Sequence, residues 1–199
     1  MATQAERTAA TCERLLDATV ATLVERGYRG TTTPEICKRA GVSRGAQLHH
    51  YPTKEALVAA AVEHVLTKRL AEVQARLANA PSGVLDLEDA GAFLWSVYSG
   101  ATFYAWLELV VAARTDEGLR PIVAALDARF AARAERMCAH FLLPYVEDPR
   151  EIAATTRLIL AIFDGLAMHR VLVKDDDLAR RALRVARARG LFVPKGRDA

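Results

Sequence analysis

Residues 31–55, TTTPEICKRAGVSRGAQLHHYPTKE, constrain the fold more than any other stretch of the chain. Their punctuation spells two short helices joined by a tight turn, with a third opening directly afterwards. Thr33 is a good N-cap, and Pro34 fits the first helical position, where no backbone N–H is needed. Ile36 and Ala40 stand four apart and share one helix face. Gly41 permits the left-handed conformation that ends a helix sharply. Val42 can plug the angle between the helices. Ser43 caps the next helix, over about Arg44 to His50, and Pro52-Thr53-Lys54 stop that helix and start another. This is the layout of a helix-turn-helix, whose second helix enters the major groove of DNA.

The charge distribution agrees. The chain has 199 residues and a formal net charge of +3. Residues 1–54 hold eight Lys/Arg and five Asp/Glu, whereas residues 55–199 hold nineteen of each. The whole excess therefore sits on the part with the helix-turn-helix pattern, as a phosphate-binding surface requires. Three cysteines, Cys12, Cys37 and Cys138, are an odd number without metal spacing and suit a reducing cytosol. Cys37 falls where the motif needs a small buried residue, so packing is its expected role rather than redox sensing. No apolar signal region opens the chain. Gly91 to Leu107 carries no charge, but the run includes Ser96, Ser99, Gly100 and Thr102 and is short for a span. It reads as part of a soluble bundle, and no membrane partner is expected.

Helical periodicity dominates and no useful strand alternation appears, which predicts an all-α protein of about nine helices. The predicted helices run over about Thr8–Arg26, the two of the motif, Thr53–Asn79, Asp86–Ser99, Ala101–Arg114, Glu117–Leu143, a helix over 149–173 and one over 177–190. Asn79-Ala80-Pro81-Ser82-Gly83 breaks the fourth. Asp148 is read as the cap of the eighth, with Pro149 at its first position and Glu151 three residues after the cap. Two domains are expected: a three-helix DNA-binding domain over 1–54 and a helical ligand-binding and dimerisation bundle over 55–199.

Within the motif, Ser43 opens the recognition helix, whose positive N-terminal end and free N–H groups suit a phosphate, and Ala46 in its first turn is a further DNA-contact candidate. Arg44 is the base-reading candidate, because a guanidinium pairs bidentately with guanine. Gly45 lets the backbone approach DNA closely. His49 and His50 are donors for phosphate or a base edge, and Thr33 and Lys54 are further phosphate donors. His49 and His50 point about 100° apart on a helix, so they do not share a metal ion, and no metal or cofactor is expected. Asp175-Asp176-Asp177 lacks EF-hand spacing and favours the N-terminus of the last helix instead. Arg180, Arg181, Arg184, Arg187 and Arg189 make that helix basic, which reads as a solvated or dimer-rim face ahead of a second DNA contact.

The segment from about residue 12 to 60 resembles the N-terminal domain of the tetracycline-repressor (TetR) family of bacterial transcriptional regulators. The matching residues are Gly27, Tyr28, Thr32, Thr33, Ile36, Ala40-Gly41-Val42-Ser43, Gly45, His50, Pro52, Lys54, Glu55 and Leu57. Asp164-Gly165-Leu166 resembles a step in the family's late dimerisation helix. The DNA-contact positions named above match those of the family. The chain departs from it at Gln47 and Leu48, where the family carries a leucine and a phosphate-anchoring tyrosine. Leu48 cannot replace that tyrosine, and Gln47 is either a poorly buried amide or a reader of adenine through a slightly rotated helix.

The resemblance implies a homodimeric, cytoplasmic, ligand-responsive regulator, usually a repressor. One recognition helix reads only a half-site, so the operator is expected to be a palindrome in double-stranded DNA. The last two long helices are expected to pair across a two-fold axis, with Leu158, Ile162, Leu166, His169 and Leu183 in the seam. Trp95, Tyr98, Phe103, Tyr104 and Trp106 are five of the chain's thirteen aromatics within twelve positions. With Glu108, and with Met137, Phe141 and Phe163 opposite, they are candidates for a pocket taking a small apolar or aromatic effector; the alternative is plain core packing. Two other readings stay open: an activator or effector-independent regulator, and an enzyme on a helical bundle. No nucleophile elbow, HExxH or phosphate loop supports the enzyme, and no catalytic residue is assigned.

Overall fold

The computed structural model describes residues 3–78, 87–142, 148–173 and 175–189. Among these residues the chain is all-α, with nine helices and no strand: α1 Gln4–Gly30, α2 Thr33–Ala40, α3 Arg44–His50, α4 Lys54–Ala78, α5 Leu87–Tyr98, α6 Ala101–Ala113, α7 Leu119–Leu142, α8 Glu151–Leu172 and α9 Asp176–Ala188. The predicted break at 79–83 lies outside the described residues.

The chain forms two compact units, one from 1–68 with 100–128 and the other from 69–99 with 129–199. This differs from the expected single cut after residue 54, because α6 returns to the first unit and packs on α1.

In the first unit, Thr3 and Glu6 form a capping box that starts α1 four residues before the predicted start. Leu15, Leu16 and Ala18 of α1 pack with Ile36 and Ala40 of α2 and with Leu57 and Ala61 of α4. A second cluster joins Leu23 and Tyr28 to Val58 and Val62 of α4, Ala105, Leu109 and Ala113 of α6, and Leu119, Val123 and Leu126 of α7. Each fully buried leucine in these clusters contributes roughly 1.5–3 kcal/mol. Thr19 and Thr22 are buried without loss, because their hydroxyls donate to the carbonyls of Leu15 (2.6 Å) and Ala18 (2.7 Å).

Two glycines shape this unit. Gly41, at φ 62°, ends α2 in the left-handed conformation and sends its N–H back to the Lys38 carbonyl. Gly27, at φ 67° and ψ 176°, breaks α1 and leaves one further turn to Gly30. Helix α2 starts one residue before the sequence expectation. Thr32 is its N-cap, without a side-chain cap bond, so Thr33 is the first helical residue and Pro34 the second.

In the second unit, α8 buries Ile152, Thr156, Ile159, Phe163 and Ala167, a spacing of three and four residues that lies along one face. Phe163 meets Tyr98 of α5 with ring centroids 5.4 Å apart. Arg170 ties three elements together. It donates to Asp176 at 2.6 Å and 3.3 Å and to the Ser99 carbonyl at 3.1 Å. Asp148 is not the N-cap of α8. Its carboxylate accepts from the Arg150 N–H at 2.9 Å inside a preceding turn, Arg150 occupies the cap position, and the helix starts at Glu151. Asp175, by contrast, caps α9 by accepting from the N–H groups of Asp177 (3.0 Å) and Leu178 (2.8 Å).

Candidate nucleic-acid interface

Helix α3 begins where its side-chain chemistry dictates. Ser43 is extended, at φ −68° and ψ 151°, and its hydroxyl accepts from the Ala46 N–H at 3.2 Å. Gly45 is exposed, and a Cβ there would meet only the Ser43 hydroxyl, at 4.0 Å, so nothing inside the fold demands a glycine. Ser43, Arg44, Gly45 and His49 are exposed, Ala46 and His50 are half-buried, and Thr33 is half-buried at the start of α2. The two histidine rings meet edge to face at 5.0 Å. Arg44 lies close enough to Cys37 to pull its thiol down, but burial dominates and holds that thiol above its ordinary value. Cys37 is therefore a protonated packing residue.

Two residues assigned to DNA by sequence lie elsewhere. Gln47 is 0% exposed and is the buried residue of α3. Its side chain points into the domain, where its amide nitrogen donates to the Tyr51 carbonyl at 2.5 Å. The ammonium of Lys54 also turns inward. It donates to the Tyr28 carbonyl at 2.7 Å and sits 3.9 Å above the Tyr28 ring. Burial pushes its pKa down. Leu48 is exposed.

The tyrosine holding Lys54 is itself held at three points. Its hydroxyl donates to Glu55 at 3.4 Å, its ring is buried, and its N–H donates to Glu108 of α6 at 3.1 Å. Sequence reasoning missed this group because its members lie 27 and 80 residues apart.

Two further basic residues of the first unit, Arg26 and Arg39, are paired locally. Arg26 pairs with Glu35 at 3.1 Å, and Arg39 pairs with Glu25, whose carboxyl it holds below the usual range.

The residues read as an effector pocket separate between the two units. In the second unit, Trp95, Tyr98 and Phe163 are buried and Met137 is half-buried. In the first unit, Phe103 is buried against Tyr104, with centroids 6.1 Å apart. Trp106 packs on the core cluster of that unit, which favours the packing reading for it. Glu108 serves Tyr28. The side chain of Phe141 lies outside the described residues.

A capped, outward-facing second helix on a three-helix module defines a DNA-binding helix-turn-helix protein. The profile of bacterial regulatory proteins of the tetR family matches residues 15–61, and that of the BetI-type transcriptional repressor C-terminal domain matches 99–189. An uncharacterized HTH-type transcriptional regulator of Mycobacterium tuberculosis is 32% identical over 183 residues, covering 91% of this chain and 93% of that protein. Two solved structures share the fold. The multidrug binding protein EbrR complexed with imidazole has a TM-score of 0.62 at 21% identity, covering 94% of this chain and 97% of its own. FadR of Bacillus subtilis in complex with stearoyl-CoA has a TM-score of 0.71 at 14% identity, covering 93% and 99%. The chain belongs to the TetR family of bacterial transcriptional regulators, and it is a regulator rather than an enzyme.

Proposed function

We propose that the protein is a homodimeric repressor that reads a pseudo-palindromic operator through α3 and is released from it by a small, largely apolar effector. The observation that carries this reading is the outer face of α3: a Ser43 cap, an exposed Arg44 and an exposed Gly45 with open space beside it. Arg44 reads a base edge, and Thr33, Ser43, Gly45, Ala46, His49 and His50 lie against the sugar-phosphate backbone. Gln47 and the Lys54 side chain drop out of the contact set, because both are committed inside the domain.

The effector is placed in the second unit, beside Trp95, Tyr98, Met137 and Phe163. The ligands of EbrR (imidazole) and FadR (stearoyl-CoA) support an effector site of some kind on this fold. An effector releases the operator only to the extent that it prefers the non-binding conformation. Helix α8 is long and apolar enough to cross a membrane by length and composition. Its exposed Leu158, Met168, Val171 and Leu172 fit a dimer face equally well, and Ile162, Leu166, His169 and Leu183 extend that seam.

The test is capture of fragmented genomic DNA by purified protein at physiological salt, followed by sequencing and by challenge of the bound fragments with a panel of apolar and aromatic compounds. Enrichment of one or a few inverted repeats, released by some compounds and not others, is the expected result. Diffuse, salt-sensitive recovery overturns the operator reading, and specific binding that no compound relieves overturns the effector-released part of it.

A further inference from the structure

We propose that Gln47 is a positioning residue for DNA binding, which clamps the exit of the recognition helix by holding both main-chain polar groups of Tyr51. The Tyr51 N–H donates to the Gln47 carbonyl at 2.8 Å, and the Gln47 side-chain amide donates to the Tyr51 carbonyl at 2.5 Å. Only the nitrogen of that amide attracts a carbonyl, so its orientation is fixed by the partner. Tyr51 has left the helix, at φ −137° and ψ 99°, and its carbonyl has no helical donor to turn to.

Three features make the clamp matter for DNA rather than for folding alone. Helix α3 has seven residues, and a helix that short has little stability of its own. Its buried anchor is this one polar side chain, where an apolar residue would fill the same volume with no acceptor to satisfy. The Gln47 Oε1 is buried with no hydrogen-bond partner among the described residues, a penalty that leucine or methionine would not carry. Tyr51 in turn packs on the cluster formed by α1, α2 and α4. The clamp thus joins the last turn of the reading helix, which presents His49 and His50, to the body of the domain. The proposal rests on α3 being the reading helix.

The experiment compares wild type, Gln47→Met and Gln47→Leu on the duplex that the wild type selects from a randomised library, with Arg44→Ala measured beside them. Met keeps the length of Gln and has neither donor nor strong acceptor. Both Gln47 variants are expected to fold with nearly unchanged melting temperature. They are expected to bind about tenfold or more weakly, with a salt slope shallower by about one phosphate contact and the base preference read by Arg44 retained. Affinity within about twofold of wild type overturns the proposal, taking the factor of ten as the reference for one lost contact. A weakening with unchanged salt slope also overturns it, since a smaller folded fraction produces that pattern. Unfolding of both variants at the assay temperature assigns Gln47 to stability alone and overturns it too. If Arg44→Ala leaves selection unchanged, the reading of α3 itself has failed, which is a separate result.

Discussion

The carboxylate of Glu108 accepts a hydrogen bond from the N–H of Tyr28 at 3.1 Å, eighty residues back in the chain. It lies where α1 is broken by Gly27, and a Cβ on that glycine would come within 2.9 Å of the Glu108 oxygen. Glu108→Ala leaves a mostly buried N–H without an acceptor and is expected to lower unfolding stability by about 1–3 kcal/mol. Glu108→Gln keeps an acceptor and should lose less. Gly27→Ala meets both a left-handed backbone and the displaced carboxylate, so its effect combined with Glu108→Ala should fall short of the sum. Urea titration of the four proteins checks this; strict additivity would show that the two residues act separately.

Lys54 offers a separate test. Its ammonium is engaged by the Tyr28 carbonyl and ring, so Lys54→Met is expected to reduce stability by about 1–2 kcal/mol. The same variant should leave the salt dependence of DNA binding nearly unchanged. A phosphate contact would instead flatten the slope by about 0.9. Titrations of operator affinity against salt distinguish the two roles.

Alkaline pH should loosen the DNA-binding module. Burial first, then the charges of Glu55 and Asp116, pushes the Tyr28 phenol up to about 12. Burial first, then Cys12, does the same to Tyr51. A raised folded-state pKa means that the contribution is fully present below the ordinary value near 10 and is lost as pH climbs towards 12. Denaturant midpoints measured across that window should fall, and Tyr28→Phe should flatten part of the fall. An identical fall in Tyr28→Phe would locate the effect elsewhere.

What the sequence disclosed, and what it hid, divides by range. The turn of the motif was legible because its signals are local: Gly41 adopts the left-handed conformation and Ser43 caps the next helix. The nine helices follow from periodicity in the same way. The two misplaced caps, at Thr33 and Asp148, are off by one and two residues, and the observed cap positions, Thr32 and Arg150, make no side-chain cap bond that the sequence could have signalled. The inward turn of Lys54 and the use of Glu108 were not legible, since each depends on a backbone group of Tyr28 brought near only by folding. Gln47 was ambiguous for another reason. A helix rotated slightly either way presents it to DNA or to the core, and only packing decides.

Arg44 carries the specificity prediction. It is exposed in the first turn of α3, immediately after the Ser43 cap. Arg44→Ala is expected to weaken specific binding by about 1–3 kcal/mol and to relax preference at one base position in each half-site. Selection from randomised duplexes with both proteins checks it. Uniform weakening across all sequences would make Arg44 a phosphate contact instead.

The last prediction concerns assembly. Leu158 is 49% exposed on α8, and Leu172, further along the same helix, is 85% exposed. Contiguous apolar surface of this kind marks an interaction site on a folded protein. An isologous pairing of α8 and α9 would cover it twice, once on each protomer, and would join two recognition helices in one molecule. Leu158→Glu adds a charge to that surface. Because about half of the side chain already faces solvent in the single chain, the variant should still fold, and its melting temperature should fall only by the stabilisation that dimerisation adds. In a dimer seam, however, it places two like charges across the two-fold axis and removes apolar burial from both sides. Sedimentation at micromolar protein should therefore show a dimer for wild type and a monomer for the variant. Operator affinity should fall with the loss of the dimer, because each half-site is then read by a separate binding event. A wild-type protein that sediments as a monomer, or a variant that stays dimeric with full affinity, would remove α8 from the seam.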